Sequence, residues 1–177
     1  MNRLYERTTR RRTTSQLDAA LRAEVTAHAE AHQLGDVLGT AVNCHETWSV
    51  RLRKPGLLSR LTGTADPDTA HRMVVVVAPR YLVVAVEGKR RGVHVLSARL
   101  DSASLSESSE LRRLAREAAA SAGRFGRLPP DDFGTSVTAL WSGAREASSF
   151  YIGVSDDAEG RALLDELHAA VTRAKST

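Results

Sequence analysis

Cysteine is nearly missing from this chain: Cys44 is the one thiol in 177 residues. No internal disulfide can form, so a reducing cytoplasm is the expected setting. Long apolar runs are missing too. No segment reaches the roughly 18–20 uninterrupted apolar residues that a membrane-spanning helix needs. The opening stretch MNRLYERTTRRRTTSQ is basic but has no apolar core and no small-residue cleavage site, which is not the pattern of a secretory signal. Aromatic residues are scarce at 5%, and no strand pattern offers the stacked Phe or Tyr of RNA-binding sheets. Arg10–Arg12 could grip a phosphate backbone non-specifically, but nucleic acid is not an expected partner. Glycine-rich phosphate loops, nucleophile elbows and paired catalytic carboxylates are absent as well, so no enzymatic activity and no cofactor are expected.

Charge is present, but unevenly placed. The formal net charge is +4, and Arg3, Arg7, Arg10, Arg11 and Arg12 face only Glu6 in the first dozen residues. The remainder is close to neutral with local basic spots. Residues 1–14 therefore read as a flexible, solvated basic arm, since termini are loose unless tied down. Residues 15–177 have the length of one ordinary domain, and no repeat or linker divides them.

The most informative stretch runs from Met73 to Leu100, MVVVVAPRYLVVAVEGKRRGVHVLSARL. Three Val- and Leu-rich runs are separated by gaps too short for the crossover that parallel strands require. They predict antiparallel strands near 72–78, 81–87 and 92–98, the second turn being strongly basic. A long strand ending near Arg53 precedes them, and RKPGLLSRLTGTADPDT is a loop. A weaker fifth strand is expected over 99–105. TSVTALWSG and ASSFYIGVS make a further hairpin.

Helical periodicity marks three segments. Leu17, Leu21 and Val25 recur every four residues in a helix near 15–34, with His28 and His32 on the same side. Leu111, Leu114, Ala115, Ala118 and Ala122 form a stripe near 107–123. The last segment, DDAEGRALLDELHAAVTRAK, is acidic in its first turn and basic in its last, as the helix dipole favours, and Leu163, Leu167, Val171 and Ala174 mark its buried face.

Seven mostly antiparallel strands closed by an amphipathic helix is the order of the pleckstrin-homology superfold, and the hairpin MVVVVAPRYLVVAV with GVHVLSARL resembles the middle strands of bacterial members. The resemblance covers about Leu38–Lys175 and implies an α+β fold: a partly open antiparallel barrel capped by the C-terminal helix. The helix near 15–34 would then be an addition, and the one near 107–123 an insertion between strands five and six. The family's frequent Trp in the last helix is replaced here by Leu163, Leu164 and Leu167. The resemblance also implies an anionic-headgroup site around RLRKPGLLSRLTG, where Arg51, Arg53, Lys54 and Arg60 supply charge beside the apolar tip Gly56-Leu57-Leu58, joined by Lys89, Arg90 and Arg91 in the basic turn.

The added N-terminal helix suggests another use. Its face of Leu17, Leu21, Val25, His28 and His32 is surplus to a complete barrel and would dock a second chain, either a protein partner or another copy. The expected function is thus a non-enzymatic, PH-like interaction module in the cytoplasm. The alternative is peripheral binding to anionic lipid at the inner membrane face. The reactive residue types are accounted for without catalysis. Cys44 and His45 point to opposite faces of a strand, so the expectation is a small buried Cys beside an exposed His. His28 and His32 have metal-ligand spacing with Glu24 behind them, but no further ligand is visible and no metal is expected. Trp48, Trp141, Phe150 and Tyr151 fall on strands, where core packing is the default.

Overall fold

The computed structural model of the protein describes residues 3–52, 68–107 and 132–176. Strands β1 (Tyr5–Arg11), β2 (Asn43–Arg51), β3 (Ala70–Val77), β4 (Tyr81–Gly88) and β5 (Gly92–Arg99) form one antiparallel sheet in chain order. Strands β6 (Ser104–Glu107), β7 (Gly134–Ala139) and β8 (Ser148–Gly153) form a second. Helix α1 (Ala19–Ala31) lies between β1 and β2 in the chain, and α2 (Ala158–Lys175) follows β8. The fold is α+β with two antiparallel sheets, and among the described residues they do not close into a barrel.

The unbroken Val run has a direct physical cause. Met73, Val75 and Val77 face one core together with Leu82, Val84 and Val86. Val74 and Val76 face the opposite core, with Val83 and Ala85. A strand buried on both sides needs apolar residues at every position rather than at alternate ones. The first core is filled from the second sheet by Val137, Ala139 and Ile152, and from α2 by Leu163, Leu167, Ala170 and Val171. The second core is filled from α1 by Leu21, Val25 and Ala29, and from the adjoining chain by Leu17 and Val37.

That arrangement corrects the expected partner face: Leu17, Leu21 and Val25 are buried against the five-stranded sheet of the same chain. Because the sheet presents an apolar second face, the N-terminal helix is its cover. It starts at Ala19, where Asp18 Oδ1 accepts the Leu21 N–H at 2.8 Å, rather than near residue 15, because Thr14–Gln16 form a separate short 3-10 turn. Leaving α1, Gln33 and Gly35 both take left-handed backbone angles.

Residues expected to form a loose basic arm instead make β1, paired along its length from Tyr5 opposite Arg51 to Arg11 opposite His45. Polar side chains close its outer edge. Asp132 Oδ1 accepts the Leu4 N–H, and Thr9 and Ser155 exchange backbone-to-hydroxyl hydrogen bonds at 3.1 and 2.9 Å. Glu159 accepts the Arg11 N–H, and Arg7 pairs with Asp132 at 3.3 Å in a nearly water-free site. The expected fifth strand over 99–105 is divided between a 3-10 turn, Leu100–Ser102, and β6. The three strands around the Val run match expectation to within two residues. The helix expected near 107–123 lies outside the described residues, save its first position, which ends β6.

Both helix faces should therefore behave as core. Leu21→Ala and Leu167→Ala are each expected to lower unfolding free energy by about 2–5 kcal/mol, measured by chemical denaturation. Light scattering should find Leu21→Ala in the same oligomeric state as the parent chain, because the face it alters is internal.

Candidate functional site

Among the described residues, α1 and its flanking chain pack against only part of their side of the sheet. At the covered end lie Cys44, Val74 and Val76. Farther along the same face of β2, at alternate positions and just beyond its end, come Trp48, Val50 and Leu52, exposed by 48, 50 and 52%. Leu4 stands beside them, its carbonyl accepting the Leu52 N–H at 3.0 Å. The register sets Trp48 between Thr8 and Arg72, and Val50 between Glu6 and Ala70. Two features of Trp48 depart from the sequence expectation: it is not core, and it lies on an open surface. Trp141 and Phe150 do pack against the first core, while Tyr151 is partly exposed.

A charged network separates the covered half of the face from the open half. Arg72 pairs with Asp18 and with Glu87, and reaches Glu46 at 3.4 Å, while Arg12 Nε donates to Glu46 at 2.9 Å. The Arg72 guanidinium also stands 5.5 Å from the Trp48 ring centroid, within range of a cation–π attraction. Glu46 is buried, and its negative charge is tolerable there because two cations meet it. Asp18 joins the network to the start of α1. The Leu21 N–H, with the Arg72 guanidinium acting against some desolvation, holds its carboxyl below the usual carboxylate range. Around the open row the charges nearly balance: Glu6, Asp18, Glu46 and Glu87 against Arg10, Arg12 and Arg72 on the same side of the sheet.

The expected anion site is only partly assembled. Arg51 and the turn of Lys89, Arg90 and Arg91 stand at the same end of the sheet, a placement the sequence leaves open. Arg51 turns to the other face, donates to the Tyr5 hydroxyl at 2.9 Å and stacks over that ring. Arg91 is held by Asp68, which also accepts the Arg90 and Arg91 backbone N–H groups. Lys89 and Arg90 are exposed, and among the described residues their side chains form no ion pair. Arg53, Lys54 and Arg60, with the tip Gly56-Leu57-Leu58, lie outside the described residues.

His28 and His32 lie side by side, with ring centroids 4.4 Å apart and planes tilted by 42°. His28 Nε2 is 3.0 Å from Ser97 Oγ and 3.3 Å from Ser142 Oγ, which ties α1 to β5 and to the turn after β7. Among the described residues no three His, Cys, Asp or Glu side chains gather as a metal set. The Cys44 thiol is pushed up to about 12 by burial, reinforced by Glu46, so it offers no thiolate at neutral pH. His45, expected to be exposed, is 1% exposed beneath α2.

Comparison with known proteins finds no matching family model, no matching curated protein and no matching solved structure. No helix among the described residues is long and apolar enough to cross a membrane.

Two outcomes check this geometry. Arg72→Ala is expected to cost about 3 kcal/mol in denaturant unfolding, because it leaves Glu46 and Glu87 without a shared cation. It should also raise acrylamide quenching of Trp48 fluorescence, measured in a Trp141→Phe background. Separately, Cys44 in the folded chain should react with a thiol reagent orders of magnitude more slowly than in denaturant, read as absorbance of the released chromophore.

Proposed function

We propose that the protein is a non-enzymatic interaction module of pleckstrin-homology-like build, working in the cytoplasm, that docks an apolar segment of a partner protein on the Trp48–Val50–Leu52 row. The carrying observation is that row itself: three large apolar side chains, each about half exposed, on a sheet fixed from behind by a packed core. Two antiparallel sheets followed by an amphipathic helix are the coarse feature that supports the family reading, with eight described strands where seven are expected and α1 set between the first two. A sheet braced on its far side presents these side chains with little ordering cost on binding. Together with Leu4 they make an apolar patch on the order of a few hundred Å², in the range of functional patches on monomers. A standard interface takes about 800 Å² per partner, so the patch suits a short segment better than a second copy of the chain. The nearly balanced charges around it favour a protein over a strongly anionic surface.

One observation favours a lipid alternative: Lys89 and Arg90 are exposed at the end of the sheet where Leu4 and Leu52 also lie. In that reading the apolar row enters the interface while the turn meets anionic headgroups.

A photo-crosslinking residue placed at position 48 in the native host should yield one dominant adduct. Val50→Asp should remove that adduct while shifting stability by no more than about 1 kcal/mol, and the purified adduct partner should bind the parent chain directly. Absence of any adduct sensitive to Val50→Asp would defeat the docking role. Flotation with anionic vesicles that is lost in the Lys89→Glu, Arg90→Glu double variant would establish the lipid alternative in its place.

A further inference from the structure

His45 sits in β2 under the C-terminal helix, opposite Arg11 of β1 and Val75 of β3. It is among the largest fully buried side chains. Among the described residues neither of its ring nitrogens has a hydrogen-bond partner, and neither does Glu166 Oε2 on α2. That oxygen stands 3.7 Å from His45 Nδ1, beyond hydrogen-bond reach. Buried polar groups in folded proteins are nearly always paired, so three unpaired atoms converging on one joint call for a reason.

The charges around the ring are few and can be named. From β1, Arg11 donates to Glu166 Oε1 at 2.9 Å and to Asn43 Oδ1 at 2.8 Å. From α2 come Glu166 itself and Glu159, which accepts the Arg11 N–H. The residue paired with His45 on β3 is apolar, as are its neighbours Val74 and Val76. Every charged group near the ring thus belongs to β1 or α2, the two elements whose contact with β2 encloses it.

We propose that His45 makes the joint between α2 and the β1–β2 edge acid-sensitive: gaining a proton favours a state in which that joint opens and water reaches the ring. Opening would give the imidazolium the solvation that the closed joint withholds. The closed form opposes protonation, chiefly through burial and also through Arg11, against the pull of Glu166 and Glu159. The ring therefore takes up its proton at lower pH when closed than when open, where it behaves as an ordinary histidine near 6.5. With the closed value lowered, the stabilisation of the closed form is complete above pH 6.5. It is lost as pH falls from there toward the closed value, and stays constant below it. A single proton can shift the balance by up to about tenfold per pH unit within that window. This is a graded loosening, since Leu163 and Leu167 keep α2 anchored in the core.

Native-state hydrogen exchange on the full chain, corrected for the intrinsic pH dependence of exchange, tests this. Between pH 6.5 and 5.5 the opening equilibrium of α2 and β1 amides should rise by up to about fivefold. His45→Leu, apolar and of similar size, should remove that rise. The His45 ring resonances of the parent chain, followed by NMR, provide a second measurement independent of any variant folding, and should titrate below 6.5. A flat opening equilibrium in the parent chain, an undiminished rise in His45→Leu, or a ring that titrates at or above 6.5 would each overturn the proposal.

Discussion

Burial of one antiparallel sheet on both faces is the constraint from which the rest of the molecule follows. An antiparallel sheet with one wet face alternates apolar and polar residues; β3 and β4 do not, and so they require two covers. On one side the cover is the three-stranded sheet with α2. On the other it is α1 with the chain that flanks it. Among the described residues the second cover is the thirteen-residue α1 with its flanking chain, which does not reach the far end of β2, where Trp48, Val50 and Leu52 are about half exposed. The candidate surface is thus the unfilled end of a layer.

The charged network stands at that boundary for an electrostatic reason. Asp18 faces solvent, Glu46 is buried, and Arg72 lies between them with little exposure of its own. Charges at the edge of a core are stabilised by low-dielectric surroundings only when each finds a partner. Here one guanidinium serves three carboxylates and also stacks against an indole. The same group that seals the core margin also restrains the largest side chain of the open row. Packing at the start of α1 and the posture of Trp48 are coupled through it.

What the sequence revealed depended on whether apolar periodicity carried the signal. The Val run, its tight turns and the Leu163–Leu167 stripe expose their geometry directly, and the structure agrees with them. Strand β1 does not, because YERTTRR has no apolar alternation. It is held by its pairing with β2 and by backbone N–H groups that donate to Asp132, Ser155 and Glu159, residues remote in sequence. Leu17, Leu21 and Val25 were legible as a face, but what that face meets is a tertiary fact with no local trace. Trp48 and His45 each have the opposite exposure to the one their positions suggest. On a strand, alternation fixes which residues share a side, not which side is covered or how far the cover extends. The acidic partners of Arg72 come from separate elements, Asp18, Glu46 and Glu87, so no spacing rule joins them.

The edge bonds of β1 also bear on the order of events during synthesis. Its inner edge needs β2, some forty residues later, but its outer edge is completed only by residues 132–166, with sequence separations of 125 to 155. A ribosome releases the first segment long before its last partners exist. Until α2 emerges, Thr9 and Arg11 lack their bonds to Ser155, Glu159 and Glu166, and contacts between distant residues form slowly. The amino-terminal strand is therefore the piece that waits, and a nascent chain stalled before Ser155 would display a cationic, half-paired border to the surrounding cell.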